Sequence, residues 1–224
     1  MSAAKEMSVF ERISTPQVTM SNADIILSAA TRVFLNHGYG GARMDLVAKE
    51  AGLARRTVYN QFPDGKEALF RAVVQRMWSA FETMNIASDE AALSDPAVGL
   101  RRIGYATAEF WRSPLAIRFL RMVIGEGMRF PDLTQSFFEF GKTPSMEATR
   151  DYLSELSRRG LLIVENPELA TRQFIGLIDE PLLWVRVVGK DESHSDKERR
   201  DVVEQAVSIF LGYYSVEKKN RAKK

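Results

Sequence analysis

The sequence contains no cysteine and only two histidines, His37 and His194, which lie far apart in the chain. The absence of thiols excludes disulfides, thiolate metal ligands and thiol-based redox sensing, and two distant histidines form no metal-binding motif. The chain also lacks an uninterrupted apolar run of about 18 residues, and its N-terminus lacks the apolar stretch of a signal peptide. We therefore expect a cytoplasmic protein with no metal, no cofactor and no membrane partner.

Sequence motifs of the common enzyme classes are missing as well. We find no phosphate-binding glycine loop, no Gly-x-Ser-x-Gly, no His-Glu-x-x-His and no cysteine nucleophile. The glycines of residues 38–41 do not follow the strand that a nucleotide-binding loop requires. A small helical hydrolase or transferase is the rival class, and the missing motifs argue against it; no catalytic residue is predicted.

The overall charge is nearly balanced, with a formal net charge of +2 over 224 residues. This charge is too small for the whole surface to attract nucleic acid, so any DNA contact has to come from locally concentrated charge. Residues 1–20 carry little periodicity and are predicted to be a flexible arm. Contact between DNA and Lys5 or Arg12 is the alternative for this arm.

Apolar residues recur at helical spacing from Ser21 onward, with Ser21 and Asn22 as capping candidates. A first helix is predicted to end at Gly38. Further helices are predicted over residues 43–50, 54–61 and about 66–85, separated by Gly52 and by the turn Pro63-Asp64-Gly65.

The rest of the chain repeats one device, a capping residue followed by proline. Proline is tolerated at the first helical position, where its missing N–H would be unpaired anyway. Four helix starts are predicted in this way, and Phe130-Pro131 suggests a fifth; the four pairs are Asp95-Pro96, Ser113-Pro114, Thr143-Pro144 and Asn166-Pro167. Strand patterns are rare, with residues 161–164 as the one short candidate, so the predicted fold class is all-α.

The stretch AGLARRTVYNQF, residues 51–62, joins two short helices through a glycine turn, as in a helix-turn-helix. Val58 and Phe62 are predicted to anchor the second helix, which leaves polar side chains facing outward. Arginine can contact guanine, asparagine and glutamine can contact adenine, and threonine can contact the thymine methyl group. A solvated polar face is the alternative. The predicted DNA-facing residues of this helix are Ala54, Arg55, Arg56, Thr57, Tyr59, Asn60 and Gln61.

Over residues 23–70 the chain resembles the TetR family of bacterial transcriptional regulators. The resemblance rests on FLNHGYGGA, VAKEAGLARRTVYNQF and KEALF taken together. It implies phosphate contacts for Tyr59, for Lys66 at the start of the fourth helix, and for Arg43 at the start of the second. Three features depart from the family pattern: Ala54 replaces a capping serine, Arg56 replaces a common glycine, and the connection at residues 63–65 is one residue longer.

This resemblance implies three regions, namely an arm at 1–20, a helix-turn-helix domain at 21–66 and a larger helical domain at 67–224. Residues of about 110–190 resemble the C-terminal domains of an AefR-like subgroup. Ligand-pocket candidates in this larger domain are Trp111, Phe119, Met122, Phe137 and Trp184. Arg118, Glu126 and Arg129 are candidates for orienting a polar ligand group or for surface ion pairs.

A homodimer is predicted through two long helices, of about 167–188 and 196–214, whose apolar stripes can pack between subunits or within one. The candidate interface residues are Phe174, Ile178, Leu182, Val203, Val207 and Phe210. Pro181 should interrupt the first of these helices. The basic tail at 218–224 is predicted to be solvated.

Taken together, these patterns predict a ligand-responsive transcriptional regulator, foremost a repressor, that binds a palindromic DNA operator as a dimer. A small-molecule effector of unknown identity is predicted to release it by shifting the fourth helix. A helical adaptor that binds only protein is the other alternative, and it would show no salt-dependent affinity for DNA.

Overall fold

A computed structural model describes residues 21–79, 82–189 and 193–216, without the side chains of residues 82–84. The fold is all-α, as predicted. The α-helices are α1 (Asn22–Gly41), α2 (Met44–Ala51), α3 (Arg55–Gln61), α4 (Gly65–Ser79), α5 (Glu90–Ser94), α6 (Pro96–Arg112), α7 (Pro114–Glu126), α8 (Pro131–Phe137), α9 (Thr143–Arg158), α10 (Pro167–Asp179), α11 (Val185–Val187) and α12 (Asp196–Tyr214). A 3-10 helix spans Glu82–Ser88, and π-helical turns span Phe138–Lys142 and Glu180–Trp184.

The strand candidate at residues 161–164 forms no strand within the described ranges, and Leu162 makes only an isolated bridge to Ser215. The predicted arm at 1–20 and the basic tail at 218–224 lie outside the described residues. Among the helices described, none combines the length and the apolar character needed to cross a membrane.

Most helix starts follow the local capping chemistry that the sequence predicts. Ser21 begins α1 with a capping box, in which its hydroxyl accepts from the amide of Asp24 and the Asp24 carboxylate accepts from the amide of Ser21. The side chains of Asp95, Ser113 and Asn166 likewise accept hydrogen bonds from backbone amides in the first turns of α6, α7 and α10.

Two expectations about helix limits need correction, and a third is confirmed. Thr143-Pro144 is not a free helix start, because α9 follows directly on the π-helical turn Phe138–Lys142. The fourth helix, predicted to reach residue 85, ends as an α-helix at Ser79 and is followed by 3-10 geometry at Glu82–Ser88. Apolar spacing of three or four residues fits both helix types, so the pattern could not separate them. Pro181 interrupts the regular α-helix as expected, by lying in the π-helical turn Glu180–Trp184.

The chain divides into two compact units. The described part of the first unit consists of α1 to α4 together with α7, α8 and the turn Phe138–Lys142. Its core contains a chain of aromatic rings: Phe70 packs edge-on to Phe34 at 5.3 Å and stacks on Phe119 at 5.5 Å between ring centroids. This unit therefore combines the predicted helix-turn-helix with helices from later in the sequence. The predicted domain boundary at residue 66 stays a prediction.

The second unit contains the 3-10 helix, α5, α6 and α9 to α12. Its core includes Leu100, Ile103 and Tyr152, and the Tyr152 hydroxyl donates to the Ala92 carbonyl at 2.8 Å. All six candidate dimer residues are buried in this same core: Phe174, Ile178, Leu182, Val203, Val207 and Phe210. Side chains that are at most 2% exposed cannot form the contact surface with another subunit. The assignment of these six to a dimer interface is therefore corrected, because their apolar stripes pack within the unit.

Candidate nucleic-acid interface

The turn between α2 and α3 has the geometry that its glycine predicts. Gly52 adopts a left-handed conformation with φ 66° at the end of α2. Its amide donates to the Lys49 carbonyl at 3.2 Å, and the amide of Leu53 donates to the Ala48 carbonyl at 3.1 Å. These bonds close α2 and let α3 begin three residues after the glycine, at Arg55.

A single buried side chain, Val58, holds α3 to the rest of the first unit from within the helix. Phe62, which ends the helix, is only partly buried, as is Thr57. The other predicted DNA-facing residues of this segment are exposed: Ala54, Arg55, Arg56, Tyr59, Asn60 and Gln61. The helix thus presents a row of hydrogen-bonding groups to its surroundings. Ala54 is the N-cap and makes no side-chain capping bond, in agreement with its departure from the serine pattern.

Arg55 is oriented by two neighbours while its side chain remains 65% exposed. Its Nε lies 2.6 Å from Oδ1 of Asp45 on α2, and its guanidinium lies 5.8 Å from the centre of the Tyr59 ring. Hydrogen bonding to Tyr59 and the charge of Asp45 both raise the pKa of Arg55. Arg43 is also exposed, at the N-cap of α2.

Lys66, near the start of α4, makes contacts that the sequence did not indicate. Its Nζ donates to the Tyr39 carbonyl at 2.8 Å and lies 4.4 Å from the centre of the Tyr39 ring. Burial lowers the pKa of Lys66, and the charge of Glu126 opposes that shift. In this structure the side chain is thus directed at the end of α1, and the phosphate contact implied by the family resemblance stays a prediction.

Sequence reasoning missed the role of two α7 side chains. Glu126 accepts hydrogen bonds from the backbone amides of Tyr39 and Gly40, and Arg118 donates to the Leu35 carbonyl and to the Asn36 side chain. The sequence predicts that both orient a ligand group or form surface ion pairs, whereas the structure directs them at the end of α1. The partners are separated by more than 80 residues in sequence, so no local pattern could have paired them.

The predicted ligand-pocket residues are divided between the two units. In the first, Phe119 and Phe137 are buried against Phe70 and Trp78 respectively, and Met122 is half-buried. In the second, the buried Trp111 donates its indole N–H to Oδ1 of Asp179 at 2.8 Å, whereas Trp184 is 46% exposed. Their role in a pocket stays a prediction.

A groove of about 400 Å³ lies on the second unit, lined by residues of α6 and α12 that include Arg101, Glu204 and Leu211. None of the predicted pocket residues lines this groove. The carboxylate of Glu204 is held there by Arg101 at 2.9 Å and by the Tyr105 hydroxyl at 2.8 Å. The carboxylate of Glu204 is thus already bonded by its own neighbours, whereas Ser208 and Ser215 also line the groove.

Two short helices, a glycine turn and an exposed polar face on the second helix define a helix-turn-helix protein. The chain matches the family described as bacterial regulatory proteins, tetR family, over residues 26–73. It also matches the AefR-like transcriptional repressor C-terminal domain over residues 98–216, which is more than half of its length. The chain therefore belongs to the TetR family, and it is a DNA-binding transcriptional regulator.

Individual relatives agree with this assignment. The chain is 40% identical over 76 residues to the HTH-type transcriptional regulator LmrA of Bacillus subtilis (strain 168), in a match that covers 34% of this chain and 40% of LmrA. A solved TetR-family regulator from Mesorhizobium loti has a TM-score of 0.71 at 28% identity, covering 87% of this chain and 97% of that one. The solved structure of the flavonoid-responsive regulator FrrA has a TM-score of 0.67 at 26% identity, with the same coverages of 87% and 97%.

Proposed function

We propose that this regulator is a ligand-responsive repressor that binds a near-palindromic operator as a homodimer and is released by a small molecule. The observation that carries the DNA-binding part is the exposed polar face of α3, which Val58 anchors from behind. Apart from the ion pair of Arg55 with Asp45, this face is exposed among the residues that the structure describes, so it is accessible to a major groove. We place its action in the cytoplasm, where the DNA is.

Base reading is assigned to α3, residues 55 to 61, with Arg55, Asn60 and Gln61 as the principal readers. Arg43, Tyr59 and Lys66 are assigned to phosphates, where they would position the helix without reading sequence. For Lys66 this requires the side chain to leave the Tyr39 carbonyl on DNA binding.

The dimer surface is assigned to the exposed side chains of α10 to α12 and the π-helical turn between them. Five large apolar side chains lie exposed there: Leu169, Trp184, Val188, Ile209 and Tyr213. Ile209 and Tyr213 are one helical turn apart and are 57% and 75% exposed. Exposed apolar side chains of this size are typical of protein–protein contacts, and a second copy of the chain is the partner proposed here. Such a dimer would present its two α3 helices to successive major grooves, about 34 to 36 Å apart.

The effector is proposed to bind in the helical region that matches the AefR-like C-terminal domain. FrrA, which has a similar fold, is named for its response to flavonoids, and this supports a small-molecule effector for the present chain. The candidates for contacting it remain Phe119, Met122 and Phe137 in the first unit, or Trp111 and Trp184 in the second. A coupling free energy of about 1 to 3 kcal/mol between effector and operator would lower the affinity for DNA by roughly 5- to 150-fold.

Selection of bound fragments from genomic DNA tests the proposal. We expect enrichment of a short inverted repeat, and an affinity for it that falls steeply as the salt concentration rises, because phosphate contacts release counterions. Purified protein that enriches no sequence at low ionic strength would contradict operator binding. An operator affinity unchanged by every small molecule shown to bind the protein would contradict effector release alone.

A further inference from the structure

The end of α1 contains a break in its hydrogen-bond ladder. Gly38 has φ 69° and ψ 171°, outside the helical region, in the last turns of the helix. In a continuous α-helix the amide of Tyr39 would donate to the Leu35 carbonyl, four residues earlier. The conformation of Gly38 turns the following amides, those of Tyr39 and Gly40, toward α7 instead.

Helix α7 supplies replacement partners for both halves of the broken pair. The Tyr39 amide donates to Oε1 of Glu126 at 2.9 Å, and the Leu35 carbonyl accepts from Arg118 at 3.0 Å. The neighbouring Gly40 amide donates to Oε2 of the same carboxylate at 2.7 Å. Arg118 and Glu126 are eight residues apart, or about 12 Å along α7, so they hold α1 at two separate points.

The glycine at position 38 is required by this arrangement for two reasons. Its positive φ is a conformation that other residues rarely adopt, and a Cβ at this position would overlap with Oε1 of Glu126. The peptide group between Tyr39 and Gly40 also joins a third helix, because the Tyr39 carbonyl accepts from Lys66 of α4 while the Gly40 amide donates to Glu126 of α7. One peptide thus links α1, α4 and α7.

We propose that Glu126 is a positioning residue for DNA binding, which holds the end of α1 so that α2 and α3 take the orientation needed for the operator. The paired hydrogen bonds from Tyr39 and Gly40 to Glu126 are called here the Glu126 latch. The turn held by the latch leads through Ala42 directly to Arg43, the N-cap of α2. Glu126 itself touches no DNA, so its effect on binding is exerted through the backbone.

The latch also joins the two parts of the chain that carry the separate N-terminal and C-terminal family matches. Residues Tyr39 and Gly40 lie in the TetR N-terminal match at 26–73, whereas Glu126 and Arg118 lie in the AefR-like match at 98–216. All four belong to one compact unit. A displacement of α7 therefore acts on the DNA-binding helices through these bonds, as a route additional to α4. This inference rests on the proposed function.

The test compares Glu126→Ala and Glu126→Gln with the wild-type protein and with Glu139→Gln. Glu139 is an exposed carboxylate of the same unit that bonds only Gln135 among the hydrogen bonds described, so its variant controls for the loss of one negative charge. Backbone hydrogen exchange is measured at Tyr39 and Gly40. Affinity is measured for the operator fragment obtained by genomic selection, over a range of salt concentrations and well below the unfolding temperature.

We expect faster exchange at both amides and an operator affinity about tenfold lower in Glu126→Ala, because two charge-assisted hydrogen bonds are lost. Glu126→Gln keeps one acceptor oxygen and should lie between Glu126→Ala and the wild type, while Glu139→Gln should match the wild type. The slope of log affinity against log salt concentration, called here the salt slope, should stay the same in every variant, since no phosphate contact is removed. A purely structural role would instead lower the unfolding temperature and leave the affinity of the folded protein unchanged.

Three results would overturn the proposal. The first is rapid hydrogen exchange at the Tyr39 and Gly40 amides of the wild-type protein. This measurement does not depend on whether a variant folds. The second is wild-type affinity in a folded Glu126→Ala protein. The third is equal loss of affinity in Glu126→Ala and Glu139→Gln, which would make the effect one of charge. A wild-type protein that binds no DNA sequence would contradict the proposed function instead, so the two failures are distinguishable.

Discussion

Helix α3 and the helices α10 to α12 both leave side chains uncovered, but the side chains differ in kind. On α3 the exposed residues are arginines, an asparagine, a glutamine and a tyrosine, behind which only Val58 is buried. On α10 to α12 a full apolar stripe is buried, and further apolar residues such as Ile209 and Tyr213 remain exposed.

The difference indicates two kinds of partner. Polar hydrogen-bonding groups lose little by exposure to water and gain most at the base edges and phosphates of DNA. Exposed tyrosine, tryptophan and isoleucine side chains gain most when another apolar surface covers them. Within the TetR family we therefore propose that this chain recognises nucleic acid through the polar helix α3 and a second subunit through the exposed apolar side chains of α10 to α12.

The largest effect is expected from breaking the apolar surface. The double variant Ile209→Asp/Tyr213→Glu places charges where the second subunit is proposed to pack, so the dimer should dissociate. Loss of the linkage between two DNA-binding helices should then weaken operator binding by about 100-fold or more. Sedimentation measures the oligomeric state, and titration with operator DNA measures the affinity.

Met128→Asp is the matched control, because Met128 is also an exposed apolar residue but belongs to the first unit. It should leave the dimer intact. A double variant that still sediments as the wild type would move the subunit interface away from α12.

The next effect is expected from the polar helix. Arg55→Ala and Asn60→Ala should each reduce discrimination among operator sequences by about 1 to 3 kcal/mol, the contribution of one bidentate base contact. Selection from random DNA measures the change in preference. Lys49→Ala removes an exposed positive charge of α2 rather than α3 and should leave the preference unchanged. Identical sequence preferences in the wild-type protein and in all three variants would show that α3 does not read bases through Arg55 and Asn60.

Lys66 is expected to give a smaller effect. If the Lys66 side chain moves to a phosphate on binding, Lys66→Ala should lower the affinity for all DNA sequences about equally and reduce the salt slope by about 1. The measurement is operator affinity against salt concentration. An unchanged slope together with reduced affinity would instead assign Lys66 to its contact with the Tyr39 carbonyl, as a support for the end of α1.

The smallest effect is expected from adding a side-chain cap to the start of α3. Ala54 is an N-cap without a side-chain acceptor, so Ala54→Ser should stabilise the helix by about 0.5 to 1 kcal/mol. Urea denaturation measures the free energy of unfolding. Ala54→Val introduces no hydrogen-bond acceptor and should not raise the free energy of unfolding. A gain from valine equal to that from serine would exclude capping as the cause.

The helix-turn-helix was predictable because its determinants are local. Gly52 allows the left-handed turn, Val58 falls on the buried side of a helix only seven residues long, and Ser21 caps α1 through a neighbour three residues away. Each of these features depends on residues within about one helical turn. The same holds for the proline-marked starts of α6, α7 and α10.

Features that involve distant residues were misjudged or missed. The apolar stripes of α10 and α12 were recognised, but their spacing did not reveal whether their own unit or a partner subunit covers them. The structure buries Phe174, Val203 and Phe210 in the core of the second unit and leaves Ile209 outside. Amphipathic periodicity identifies the covered face of a helix, and the covering element is decided by the rest of the chain.

The amino-acid sequence by itself determined the helical class, the glycine turn, the buried anchor of α3 and the polar residues that it presents, since these depend on backbone conformation and on neighbours along the helix. Only the tertiary structure decided that α7 completes the end of α1 through Glu126 and Arg118. The physical reason is that the broken ladder at Gly38 leaves an amide and a carbonyl in need of partners, and residues more than 80 positions away reach them only after the chain has folded.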